Sequence, residues 1–503
     1  MREQNVSKQP ANALGTAPVG KLLARMAVPT IAAQLINMLY NIVDRIYIGH
    51  IPNEGTLALT GMGVCLPVIM LVTAFSAFSS SGGAARASIE MGRGDNAAAE
   101  RILGNCALMQ LGLSALLTAV LLIWNRDLLL AFGASENTIG YAAGYMEIYA
   151  LGTLFVQLTM GLNAFITAQG FAKTGMITVA IGAVCNIVLD PIFIFGLSMG
   201  VRGAALATVI SQAVSCVFVL WFLCSGRATL RIRRQNLRLQ PAVLLPCVAL
   251  GCAPFIMIGS ESVISVCFNA SLLRYGGDIA VGAMTILASV MQFTMLPLQG
   301  LGQGAQPIAS YNYGAGCPDR VRRTFRLLLR VSVLYSAAVW ALMQLCPQIP
   351  IALFTPDATL AAYTEPAVRI YFAVSVIFGV QIACQMILIA IGSARASVAV
   401  AVMRKFVLLI PLIYILPRVF PADRTMAVYA AEPVADVLAV IFTCILFAVH
   451  FKRAMRRIEA SAAETEAGAA KIEAGAAKTE ADAAKIEASA AETEAGAAKT
   501  AAD

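Results

Sequence analysis

Apolar residues along the chain come in blocks of about 20 or more, the length needed to cross roughly 30 Å of hydrocarbon, and short polar segments separate them. Twelve such runs follow a polar N-terminus, at residues 23–48, 57–85, 103–124, 141–168, 174–196, 203–224, 242–270, 279–308, 327–346, 363–391, 397–417 and 427–450. The pattern predicts an all-α polytopic membrane protein. Residues 1–20 lack the apolar core and small-residue cleavage site of a signal peptide, so the first run is expected to remain as an anchor.

Composition agrees. Of 503 residues, 59% are hydrophobic and 13% charged, against roughly 45–50% and about 25% in soluble domains. That balance excludes a soluble enzyme, a disordered chain and a nucleic-acid binder. The net charge of +8 divides unevenly, because residues 458–503 hold 4 Lys and 10 acidic residues, leaving the membrane body at +14. An even number of spans puts both termini on one side. Of the body's 32 basic residues, 25 fall on that side when the runs are threaded, Arg404 and Lys405 among them. Cytoplasmic loops carry the excess of Lys and Arg, so both termini are expected in the cytoplasm. The twelve Cys show no CxxC pair and the two His, His50 and His450, stand far apart, so no metal site or cofactor is expected.

The chain also matches itself at a shift of 222 residues. Leu57–Met62 aligns with Ile279–Met284, Gly82, Gly92 and Gly94 with Gly304, Gly314 and Gly316, and Asn163–Lys173 with Gln385–Arg395. Agreement of one shift across three unconnected segments predicts two parallel six-helix repeats, an N-lobe and a C-lobe, around a central cavity. Parallel repeats related by an axis along the membrane normal are typical of carriers that rock two halves about a central site. The expected organisation is a cytoplasmic segment at 1–20, an N-lobe at 21–226, a basic linker at 227–241, a C-lobe at 242–452 and a cytoplasmic tail at 453–503.

Charged side chains in the hydrocarbon cost about 2.5–3.5 kcal/mol on insertion scales and so mark function. In the first half these are Asp44, in NMLYNIVDRIYIG, and Asp190, in CNIVLDPIFIFG. Asn186 lies one helical turn before Asp190 on the same face, Pro191 opens the backbone there, and Asn163 and Thr208 add neutral oxygens. Two carboxylates, two amides and a hydroxyl suit a hard monovalent cation, Na⁺, or a carboxyl pair sharing H⁺. The second half has no matching pair. Its own acids are Glu261 and the i, i+4 pair Glu432 and Asp436, candidates for a substrate contact or a second-lobe site.

Three segments carry a resemblance over about residues 15–452: LYNIVDRIYIGH, NIVLDPIFIFGLSMGVRGAALAT and GLGQGAQPIASYNYGAG. In this order, on twelve spans with a six-plus-six repeat, the chain resembles the multidrug and toxic compound extrusion (MATE) family, particularly bacterial drug-exporting members. The resemblance implies H⁺- or Na⁺-driven export of amphipathic, often cationic compounds by alternating access, with Asp44, Asn163, Asn186, Asp190 and Thr208 as the first-half cation site. Partners implied are such small molecules and the lipid bilayer, without nucleic acid, and a monomer suffices. A lipid-linked precursor or polysaccharide flippase of the same superfamily is the alternative, although it would want a cationic central cavity. A membrane-embedded enzyme is the remote one, since HxxxxD, HExxH and GxSxG are all absent. From Ile458 the chain runs in Ala-rich heptads with one Ile or Thr each, too thin a seam for a firm coiled coil. Deletion after Arg457 is expected to leave transport intact.

Overall fold

The computed structural model describes residues 10–52 and 54–461, and the heptads beyond Ser461 lie outside the described residues. Contacts group Met1–Phe451 into one compact unit and Lys452–Asp503 into another. Among the described residues twelve helices are long and apolar enough to cross a bilayer, once one double-length stretch is divided and one bent pair is joined. The first six are α1 (Val19–Gly49), α2 (Gly55–Gly92), α3 (Asn96–Ile123), α4 (Ile139–Ala168), α5 (Ala172–Gly196) and α6 (Val201–Cys224).

The stretch Pro241–Gly314 is helical for 74 residues apart from Gly277, whose φ of 67° and ψ of −162° break it. A straight helix of that length would run about 110 Å, more than three hydrocarbon thicknesses. A residue with φ in the left-handed region is tolerated cheaply only as glycine, so Gly277 divides the stretch into α7 (241–276) and α8 (278–314). The remaining helices are α9 (Pro318–Leu345), α10 (Ala358–Tyr371 continued by Ser375–Ala390 across a 49° bend), α11 (Ala394–Val419) and α12 (Arg424–Ser461). Several run longer than the apolar runs that predict them.

The repeat is visible in the backbone. Gly94 and Gly316 both take positive φ (84° and 70°), as do Gly170 and Gly392 (91° and 75°), and each pair is separated by 222 residues. The side chains follow the same symmetry. Asn163 donates to the Gly175 carbonyl at 3.3 Å, and Gln385, its equivalent, donates to the Ser397 carbonyl at 3.3 Å.

The two lobes meet across the symmetry axis through glycines. A β-carbon on Gly92 would collide with the Tyr311 carbonyl, and one on Gly314 with the Ile89 carbonyl. Ile89 and Tyr311 are themselves 222 apart, so the contact is reciprocal, as a two-fold axis requires. Gly82 likewise abuts α7 at Cys247 and Leu250, while its equivalent Gly304 abuts α1 at Met26 and Ala27. The Thr30 hydroxyl donates to the Gly300 carbonyl at 2.6 Å, and the Phe75 and Phe255 rings meet at 5.0 Å. Without lipid-excluding hydrophobicity to drive association, membrane helices gain by backbone approach at small residues. These contacts lie in the first halves of α1 and α7 and the second halves of α2 and α8, which share one side of the bundle. A short helix, Pro10–Thr16, closes the same end: Arg320 donates to the Leu14 and Ala17 carbonyls at 3.0 and 2.8 Å and to Asn312 Oδ1 at 2.7 Å.

Candidate functional site

In the first lobe α5 and α6 bring together three of the five residues singled out from the sequence. Asn186 Nδ2 donates to Asp190 Oδ1 at 3.1 Å and to Thr208 Oγ1 at 3.4 Å. Asp190 is followed by Pro191, which has no N–H to give the helix, and the next turn, Ile192–Gly196, loosens into a π-helix. Asp44 projects from α1, the helix packed against α5, and both carboxylates are buried. Tyr40 and Tyr145 stand beside Asp44, and Tyr145 also neighbours Thr208.

The acceptors here outnumber the donors. Asp44 Oδ1, Asn186 Oδ1 and Asp190 Oδ2 are buried without a hydrogen-bond partner, and among the described residues neither carboxylate has a basic side chain within salt-bridge distance. Arg45, next to Asp44 in the chain, attracts it through space without forming an ion pair, and buried carboxylates lacking a direct ionic partner favour taking up a proton or a cation. Asn163 stands apart. Its bond to Gly175 places it eleven residues before Asn186 along α5, about 16 Å at 1.5 Å per residue. It ties α4 to α5 at that level, and its own Oδ1 is likewise buried without a hydrogen-bond partner.

The second lobe holds a different arrangement on the equivalent helices α7, α11 and α12. Lys405 Nζ donates to Glu261 Oε1 at 2.7 Å. Arg404 donates through Nε to Asp436 Oδ1 at 2.7 Å and through Nη2 to Glu432 Oε1 at 3.3 Å. The i, i+4 spacing of Glu432 and Asp436 lets one guanidinium reach both. Threading the apolar runs places Arg404 and Lys405 with the terminus-side loops; the structure corrects this. They lie ten and eleven residues into α11, about 15–17 Å from its start, in a π-helical stretch, Met403–Leu409, just before Pro411. The sequence holds only a partial signal for them: both fall inside the run 397–417, near enough to its basic edge to read as part of the loop.

Under the 222-residue shift Glu261 corresponds to Leu39, five residues before Asp44. Arg404 and Lys405 correspond to 182 and 183, before Asn186, and Glu432 and Asp436 to 210 and 214, after Thr208. Because α6 and α12 run opposite to α1 and α5, each displacement points toward the end carrying the termini. The second cluster thus uses the same three helices at least half a turn to a full turn nearer that end. Glu147 and Glu365 form exposed pairs with Arg202 (3.7 Å) and Arg369 (3.0 Å). All twelve Cys are free, and no group of three or more His, Cys, Asp or Glu able to hold a metal occurs among the described residues.

Twelve helices in two parallel lobes, each with ionisable groups buried among its helices, define a polytopic membrane transporter. The MatE family model matches residues 29–192 and 255–415, and the chain belongs to that family, whose members are transporters and not enzymes. The multidrug export protein MepA of Staphylococcus haemolyticus (strain JCSC1435) is 24% identical over 421 residues, covering 83% of this chain and 92% of that protein. MepA of Staphylococcus aureus (strain NCTC 8325) is 22% identical over 404 residues, covering 80% and 88%. Among solved structures, the MATE multidrug transporter DinF-BH is 33% identical with a TM-score of 0.78, covering 86% and 95%. A MATE in the bent conformation, 20% identical, has a TM-score of 0.83 over 90% and 99%.

Proposed function

We propose that the protein is a cation-coupled antiporter that exports amphipathic, often cationic drugs or toxic compounds across the bacterial cytoplasmic membrane by alternating access, with both termini cytoplasmic. The coupling ion is H⁺ or Na⁺. The observation that carries this reading is the pair of buried carboxylates Asp44 and Asp190, each with an oxygen lacking a partner and neither in a direct ion pair, although Arg45 acts on Asp44 through space. A proton or Na⁺ entering there neutralises charge that no direct ion pair offsets.

The coupling is mechanical in this scheme. Asp44 is on α1, which packs against α5 on one side and, through Thr30, Ala27 and Ile31, against α8 of the other lobe. Neutralising the carboxylates removes the repulsion between α1 and α5 and lets α1 reseat, which alters the seam between lobes and the first-lobe cavity. The named drug-exporting relatives support a xenobiotic cargo. In the second lobe Glu261 is the acid open to a cationic cargo, its side chain 51% exposed. An ionised carboxylate so exposed within an apolar span is tolerable beside water and not beside lipid tails, which supports reading it as directed to water between the lobes.

Efflux of ethidium from proteoliposomes under separately imposed pH and Na⁺ gradients tests the scheme. Wild type is expected to respond to one gradient, and Asp44→Asn and Asp190→Asn each to lose at least ten-fold in rate. Unchanged efflux in both well-folded variants would refute the site. No efflux from wild type under either gradient would instead favour a lipid-linked cargo.

A further inference from the structure

The Glu261–Lys405 pair is asymmetric. Lys405 is 6% exposed and Glu261 51%, so the ammonium is buried in the lobe and the carboxylate keeps an accessible side. Only Oε1 is engaged. The neighbouring Arg404 makes its direct ion pairs with Glu432 and Asp436 and acts on Glu261 only through space, so among the described residues Lys405 is the direct ionic contact of Glu261. Lysine is a point charge on a flexible stem, without the fork that would grip both carboxylate oxygens. An entering ammonium or iminium group therefore meets a carboxylate whose single ionic partner is exchangeable.

We propose that Lys405 is a tethered competitor for cationic cargo at Glu261, a specificity-determining residue that sets how strongly a compound must bind before the second lobe accepts it. This rests on the reading above that Glu261 contacts cationic cargo. While the pair is closed the carboxylate is unavailable, and apparent affinity falls by the fraction of time it is open. A pair closed about nine-tenths of the time imposes roughly a ten-fold penalty. The chemistry selected is a cation that can bring apolar contacts as well as charge, because charge alone only replaces the lysine's own.

Ethidium binding to the full-length protein in detergent, followed by fluorescence polarisation at pH 8, tests this. Lys405→Gln is expected to bind about ten-fold more tightly. Lys405→Arg, which keeps the charge and the fold but can hold both oxygens, is expected to bind several-fold more weakly. In the double variant Lys405→Gln/Glu261→Gln the gain disappears. Opposite shifts of the two lysine variants, both requiring Glu261, are not what a merely structural role produces. Unchanged or weaker binding by a well-folded Lys405→Gln, or tighter or equal binding by Lys405→Arg, overturns the proposal while wild-type ethidium export stands. Failure of wild type to bind or export ethidium overturns the cation-export reading and this inference together.

Discussion

Arg404 holds together two acids that would otherwise face each other one turn apart on α12. In Arg404→Met both remain in a site where Glu432 and Asp436 are 6% and 3% exposed, and Asp436 Oδ2 already lacks a partner. Breaking a buried ion pair by removing one member costs about 3–5 kcal/mol, whereas replacing the whole set by neutral groups of similar size is often near neutral. Arg404→Met is therefore expected to lower unfolding free energy, measured by SDS titration of the detergent-solubilised protein, by about 3–5 kcal/mol. The triple variant Arg404→Met/Glu432→Gln/Asp436→Asn is expected to recover most of it. Lys405→Met makes the contrast, since its partner Glu261 is half in water, and its loss should stay near 1 kcal/mol or below, about that of an exposed pair. An Arg404→Met protein within about 0.5 kcal/mol of wild type, smaller than an ordinary point-mutation effect, would refute the reasoning. So would a triple variant no more stable than the single.

Gly92→Val and Gly314→Val occupy equivalent places on the symmetry axis, so each should cost similarly, about 1–3 kcal/mol for overpacking; unequal losses in thermal unfolding would argue against a reciprocal seam. Arg320→Ala removes the donor to Leu14 and Ala17, and limited proteolysis should cut within residues 10–17 at least about ten-fold faster, the ratio for 1.4 kcal/mol, within the range of one charged hydrogen bond. Asn186→Ala is expected to change the ion dependence of efflux. Asn163→Ala, which loses only its bond to Gly175, should cost about 1 kcal/mol of stability and leave that dependence as it was; a changed ion dependence would return Asn163 to the cation site.

How much of the site could be read from the chain depends on the kind of residue. Asp44 and Asp190 declare themselves because an acid in an apolar run is costly wherever it points, and Asn186 follows from helical spacing alone. Arg404 and Lys405 do not, because a basic pair inside a run that begins near a basic loop reads equally well as that loop's edge. Only the packing of α11 against α7 and α12, which brings three acids within 3.3 Å of them, fixes their place. Asn163 is the opposite case: resemblance gives it to the cation site, whereas the register of α4 against α5 sets its amide against the Gly175 carbonyl.

The class of molecule, the twelve spans and the two-fold repeat are legible in the chain alone, because hydrophobic length and recurring glycines are one-dimensional signals that need no partner to be recognised. Tertiary structure decided what the repeat is for. It showed that glycines 222 residues apart form a seam against one another's neighbours, since close approach is a property of two backbones. It also showed that three equivalent helices carry an acid pair without direct ionic partners in one lobe and an ion-paired cluster in the other. Charge balance is set by distances in space, and side chains from helices separated by as many as 144 residues meet there.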